Sequence, residues 1–187
     1  MSRRLLLGGF SLLAVASAAQ AGSIDLNVND DAARLVFGWP VAGDKLKLDA
    51  AWMHHDDNGD VASFGFHVAG EVTSSAAAPV AGIGAKFLFL DAEEKDVDGS
   101  ALALGGFLRF PIPGHTRLRL EARAYFAPEV TSFGGTDDYV VAGARASYGI
   151  VGDAEVYLGY RYANADFDND VEVTFDTGLH FGFRIEF

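Results

Sequence analysis

Arg117, Arg119, Glu121 and Arg123 occupy alternate positions of the stretch Thr116 to Phe126, with Leu118, Leu120, Ala122 and Ala124 between them. Three guanidiniums around one carboxylate either draw anions or demand carboxylates from elsewhere. Alternation sends these groups to one face of a pleated strand and the aliphatic residues to the other. The same parity elsewhere adds Arg34, Lys45, Lys47, Lys86, Arg109, Arg145, Arg161 and Arg184. It also adds the acids Asp25, Asp49, Glu71, Glu155, Asp176 and Glu186, so eleven bases meet seven acids. In a narrow barrel such a face reads first as a plug of buried ion pairs, for which Asp49, Glu155 and Asp176 are the partners across the barrel. The alternative is a narrow path for small, anionic solutes, since rings of arginine and lysine select anions.

The second group is acidic. Asp56, Asp57 and Asp60 lie in one polar run, and Asp166, Asp168 and Asp170 in another, spaced by two. The second run has Val171 where a calcium-binding EF-hand loop needs glycine, so solvated loops are expected and no metal site. Lipopolysaccharide phosphates would repel these loops unless divalent cations bridged them. The third group is His54 and His55 beside Asp56, with His180 on the face of Asp176. No serine or second acid stands at a recognisable hydrolase spacing, so no enzyme, catalytic residue or cofactor is expected. An enzyme at the barrel rim is the remotest alternative.

Strands must position these groups. The alternation predicts ten, near 22–29, 31–39, 45–54, 61–71, 80–90, 101–110, 116–126, 139–148, 154–164 and 173–187. If Ile24 to Trp39 is one irregular segment, the count falls to eight. Most are long enough to span a bilayer when tilted. In the closing strand Asp176, His180 and Arg184 alternate with Phe175, Phe181, Phe183 and Phe187, which places Phe175 on the apolar face. Trp39, Trp52, Phe110, Tyr139, Tyr148 and Tyr162 fall at strand ends, as interfacial girdles require. The fold expected is an all-β, transmembrane, antiparallel up-and-down barrel with lipid outside. A soluble barrel would turn the same apolar parity inward. Odd-numbered connections read as longer and more acidic than even ones, which puts both termini in the periplasm and the acidic loops outside.

The 187-residue chain carries a formal charge of −12 and no cysteine. Its first 21 residues read as a signal peptide: Arg3 and Arg4, an apolar run Leu5 to Ala16, and a small-residue site cleaved between Ala21 and Gly22. Residues 22–187 then form one domain. Without Arg3 and Arg4 the 14 basic residues fall to 12 against 26 acidic, a net of −14, which argues against nucleic acid. Without disulfides the sheet must hold itself, and lipid demands that it close. The partners expected are outer-membrane lipid, lipopolysaccharide and the barrel-assembly machinery, with Phe187 as the terminal aromatic signal.

The stretches ALALGGFLRFPIPG, YFAPEVTSF, AEVYLGYRY and FDTGLHFGFRIEF, with SIDLNVNDDA near the amino terminus, resemble the YfaZ family of outer-membrane proteins. The resemblance spans nearly the whole mature chain. It implies an integral outer-membrane barrel of Gram-negative bacteria and carries no catalytic residue with it.

Overall fold

The computed structural model describes residues 22–42, 45–73, 78–168 and 171–187. The expected signal peptide, Ala21 and Asp170 lie outside them. Ten strands form one closed antiparallel sheet. They are β1 Ser23–Val28, β2 Ala32–Ala42, β3 Leu46–His55, β4 Gly59–Glu71, β5 Val80–Ala92, β6 Val97–Ile112, β7 His115–Ala127, β8 Thr136–Val151, β9 Ala154–Phe167 and β10 Val171–Glu186. Two single-turn 3-10 helices, Glu93–Lys95 and Glu129–Thr131, and a two-residue strand, Ser132–Phe133, decorate the connections. Ten strands are present because Asn29 to Asp31 breaks the first segment. The Asn29 backbone amide donates to the Ala32 carbonyl at 2.9 Å, and the Asn29 side chain accepts from the Asp31 amide. Ile24 to Trp39 is therefore a hairpin, in the way Asn-rich turns cap paired strands.

Closure joins the two ends of the chain. β1 pairs with β10 from Ser23↔Glu186 to Val28↔Phe181, and the Phe187 amide donates to the Gly22 carbonyl at 2.8 Å. The sheet thereby closes on itself, as a bilayer-spanning sheet requires. Both termini lie at one end of the barrel, the terminus end. The other is the loop end.

Which face is inside decides between a membrane and a soluble barrel. Outward residues Leu120, Leu158, Leu179, Phe181 and Ile83 are all exposed, Ile83 at 75%. Inward Asp25, Glu121, Arg145, Glu155, Arg161 and Asp176 are all buried. The lipid face is thus the apolar parity, and the soluble-barrel alternative is overturned. Small inward residues make room for large neighbours. A Cβ on Gly182 would stand 2.4 Å from the Tyr157 ring, so glycine admits that ring to the lumen.

Several expectations are corrected. Strands run past their predicted ends at the loop end, so Asp91 to Ser100 shrinks to a turn and Asp60 and Asp166 stand on strands, not loops. The expected contrast between long and short connections largely vanishes with it. Phe175 is fully buried, because β10 bulges there: Ala163 faces Asp176 while Asn164 faces Thr174. Tyr139 is also buried in the lumen and belongs to no girdle. Lys45 sits exposed in a turn.

Candidate functional site: a two-layer lumen

The inward face changes character along each strand. Toward the terminus end β5 carries Lys86, β7 Arg123 and β9 Arg161. Further on, the same parity continues as Leu88 and Leu90, Tyr125 and Ala127, and Ala163, Ala165 and Phe167. Across the same boundary the outward face goes the other way, from aromatic to acidic. Asp60, Asp91 and Asp98 face one another across β4, β5 and β6, and Asp138, Asp166 and Glu172 across β8, β9 and β10. A barrel leaving lipid for water must swap its polarity: water takes the charge outside, and the core becomes apolar. Beyond that boundary it is built like a soluble barrel.

The apolar layer caps the lumen at the loop end. Met53, Val61, Leu88, Leu90, Tyr139, Phe167, Val173 and Phe175 form one buried cluster. Phe167 and Phe175, its largest fully buried side chains, pack with ring centroids 6.5 Å apart.

Below it lies the charged layer, built mostly from register neighbours. In one row Arg109, Glu121 and Arg145 lie side by side on β6, β7 and β8. Glu121 accepts from Arg109 at 2.8 Å and Arg145 at 3.1 Å, and Arg123 lies 3.4 Å away. In the other row Glu155, Arg184 and Asp25 adjoin on β9, β10 and β1. Arg184 lies 3.1 Å from Asp25 and 3.8 Å from Glu155, and Arg119 donates to Glu155 at 2.9 Å. Arg145 joins the rows across the lumen, donating to Asp25 at 2.8 Å while lying over the Tyr157 ring. Tyr157 donates its hydroxyl to Asp25, and Asn27 donates to Tyr157 at 3.0 Å. Arg161 pairs with Asp176 and donates to Asn27 at 2.9 Å. The network thus ties β1, the shortest barrel strand, to the opposite wall.

The charge cluster expected from parity is therefore brought together, with different partners. Glu155 takes Arg119 and the neighbouring Arg184, while Asp176 takes Arg161 from the adjoining strand and reaches none of the β7 arginines. Asp49 instead pairs with Lys86 and lies 3.4 Å from His67. Asp25 is the carboxylate that reaches Arg145, and its inward parity was its only signal. Arg117 sits exposed at the terminus-end mouth. The guanidiniums of Arg34 and Arg117 make no ion pair or hydrogen bond among the described residues. An open cup of about 240 Å³ separates the charged layer from the terminus end, reaching Ser23, Lys47 and Glu186 at its rim.

The candidate histidines lie apart. His54 Nδ1 lies 3.1 Å from Asp60 at the exposed loop end, and His180 packs edge-on against Tyr157. Asp56, Asp57 and Asp168 are exposed at the same end. Among the described residues no group of three or more acids and histidines is arranged to hold a metal ion. Outside the lipid belt, loss of hydration and the carboxylates of Asp60, Glu93 and Asp98 push the Asp91 carboxyl upward. Asp166 is raised in the same way, by lost hydration and then by Asp138 and Glu172.

A family profile described as "YfaZ precursor" matches residues 1–187. The chain belongs to the YfaZ family. A curated relative, outer membrane protein YfaZ of Escherichia coli (strain K12), is 30% identical over 164 residues, covering 88% of this chain and 87% of that one. This chain is an outer-membrane β-barrel protein of that family. A solved structure from a study of the in-meso crystallization of membrane proteins aligns over 90% of this chain and 83% of its own, with a TM-score of 0.44 and 10% identity. That likeness is too distant to bear on the fold.

Proposed function

We propose that this YfaZ-family barrel is a closed, non-conducting outer-membrane protein whose working surface is its acidic loop end, with both termini in the periplasm. The observation that carries the closed reading is the apolar cap of Phe167 and Phe175 seated over a paired charge layer. Ion pairs alone could part and admit water, whereas a dry aromatic cap offers an ion no replacement for its hydration. The expected conductance of the refolded barrel is zero. This reading assigns no catalytic role to His54, His180 or their neighbours.

The loop end supports contact with lipopolysaccharide phosphates through shared divalent cations. Carboxylates facing each other across strands repel. Asp91 and Asp166 carry folded-state pKa values above their unfolded ones. Their repulsion is therefore present in full at neutral pH and is relieved as pH falls through the raised value, or when a cation neutralises them. Millimolar magnesium should raise the urea midpoint of the barrel in lipopolysaccharide-containing vesicles, and EDTA should reverse it. Asp91→Asn with Asp166→Asn should raise the midpoint in EDTA and blunt the magnesium response. An equal response in phosphatidylcholine vesicles would sink the lipopolysaccharide contact.

A further inference from the structure

Between the charged layer and the apolar cap lies a second, inner chamber of about 40 Å³. It exceeds the volume that one water needs and accommodates a group of a few heavy atoms. Its charged walls are Arg34, Lys86, Arg123 and Arg161, and no carboxylate lines it. Ser63 and Tyr139 add hydroxyls. Arg34, Lys86 and Arg123 also line the cup open toward the terminus end, so they form its floor and the chamber's wall at once. Three of the four cations already answer to a carboxylate: Lys86 to Asp49, Arg123 to Glu121 and Arg161 to Asp176. Arg34 has no carboxylate within ion-pair distance among the described residues and feels Asp25 and Asp49 only at longer range.

We propose that the inner chamber is a binding site for a small oxyanion, a phosphate or carboxylate group, entering from the terminus end through the cup. Like charges converging on one small volume are costly unless an anion joins them. Guanidinium forks suit planar or tetrahedral oxyanions better than a monatomic ion, because each presents paired donors at fixed spacing. The cup above the floor has room for more than the anionic group. The ligand is therefore either a free ion or the anionic end of a compact solute whose body fills the cup. The apolar cap blocks exit at the loop end, so the site is one of binding and not of passage.

The test is calorimetric titration of the refolded barrel in micelles, at fixed ionic strength, with inorganic phosphate, glycerol 3-phosphate and chloride. Saturable binding of phosphate well ahead of chloride is expected. Tighter glycerol 3-phosphate identifies a phosphorylated solute, and tighter inorganic phosphate identifies the free ion. Arg34→Gln should weaken binding about ten-fold or more, the loss expected for one charge-assisted contact. It strands no carboxylate, so its urea midpoint without phosphate should equal or exceed that of the parent protein. Ser63→Val narrows the chamber without changing charge and should weaken binding too, which keeps the test valid if one variant misfolds. Arg117→Gln removes a mouth cation that lines neither cavity and should leave affinity unchanged. Absence of saturable binding would overturn the proposal and leave the chamber to water. Equal weakening by Arg117→Gln and Arg34→Gln would overturn it as well, because it would show diffuse attraction.

Discussion

Arg145→Leu is expected to destabilise the refolded barrel by about 3–5 kcal/mol, the range for breaking a buried ion pair from one side. Arg145 is buried between Asp25 at 2.8 Å and Glu121 at 3.1 Å. Leucine would fill part of its volume and leave both carboxylates in a low-dielectric lumen. Glu121 would retain Arg109 and Arg123, so the greater loss falls on Asp25, which would keep Arg184 and the Tyr157 hydroxyl. Because Asp25 stands on the six-residue β1, the closing seam should loosen first. Urea titration in micelles reads the stability, and amide exchange of β1 reads the seam. An unchanged midpoint would mean that the lumen charges are hydrated independently of one another.

Leu120→Arg is the second large effect, at about 2–4 kcal/mol for an arginine near the bilayer midplane and less toward an interface. Leu120 is exposed, on the outward face between Leu118 and Ala122, facing Phe110 and Ala146 across the sheet. Its guanidinium would have to reach the interface along the barrel wall at the expense of lipid contact. The adjacent residue gives the contrast. Arg119→Leu points inward, is partly exposed, and leaves Glu155 with Arg184 at 3.8 Å, so its cost should be smaller and insensitive to lipid. A silent Leu120→Arg in a refolding titration in lipid vesicles would contradict the face assignment.

The alternation in β7 was enough to put Arg119, Glu121 and Arg123 on one face and Leu120 on the other, because parity is a property of one strand; which face is inside needed the spanning lengths of the strands as well. The partners were harder. Arg109, Glu121 and Arg145 follow from register between neighbouring strands, but the reach of Arg145 to Asp25 depends on the width and curvature of the closed sheet. No pattern along β1 or β8 contains that distance. Phe175 was misplaced because a bulge shifts phase by one residue, and a strand's sequence looks the same on either side of the shift. The apolar cap was missed for a different reason. Its residues keep the inward parity, but strands read as spanning lipid throughout were expected to stay polar inside. Leu88 and Leu90 beside the outward Asp91, and Phe167 beside Asp166, carry the legible sign that the strand has left the membrane.

The closed lumen is the central claim, and single-channel recording of the refolded protein in planar bilayers tests it most directly. The account predicts a silent bilayer at all moderate voltages, with the protein shown to be inserted and folded. Stable current steps that are anion-selective, and that shrink when Arg119 and Arg123 are replaced by glutamine, would contradict it.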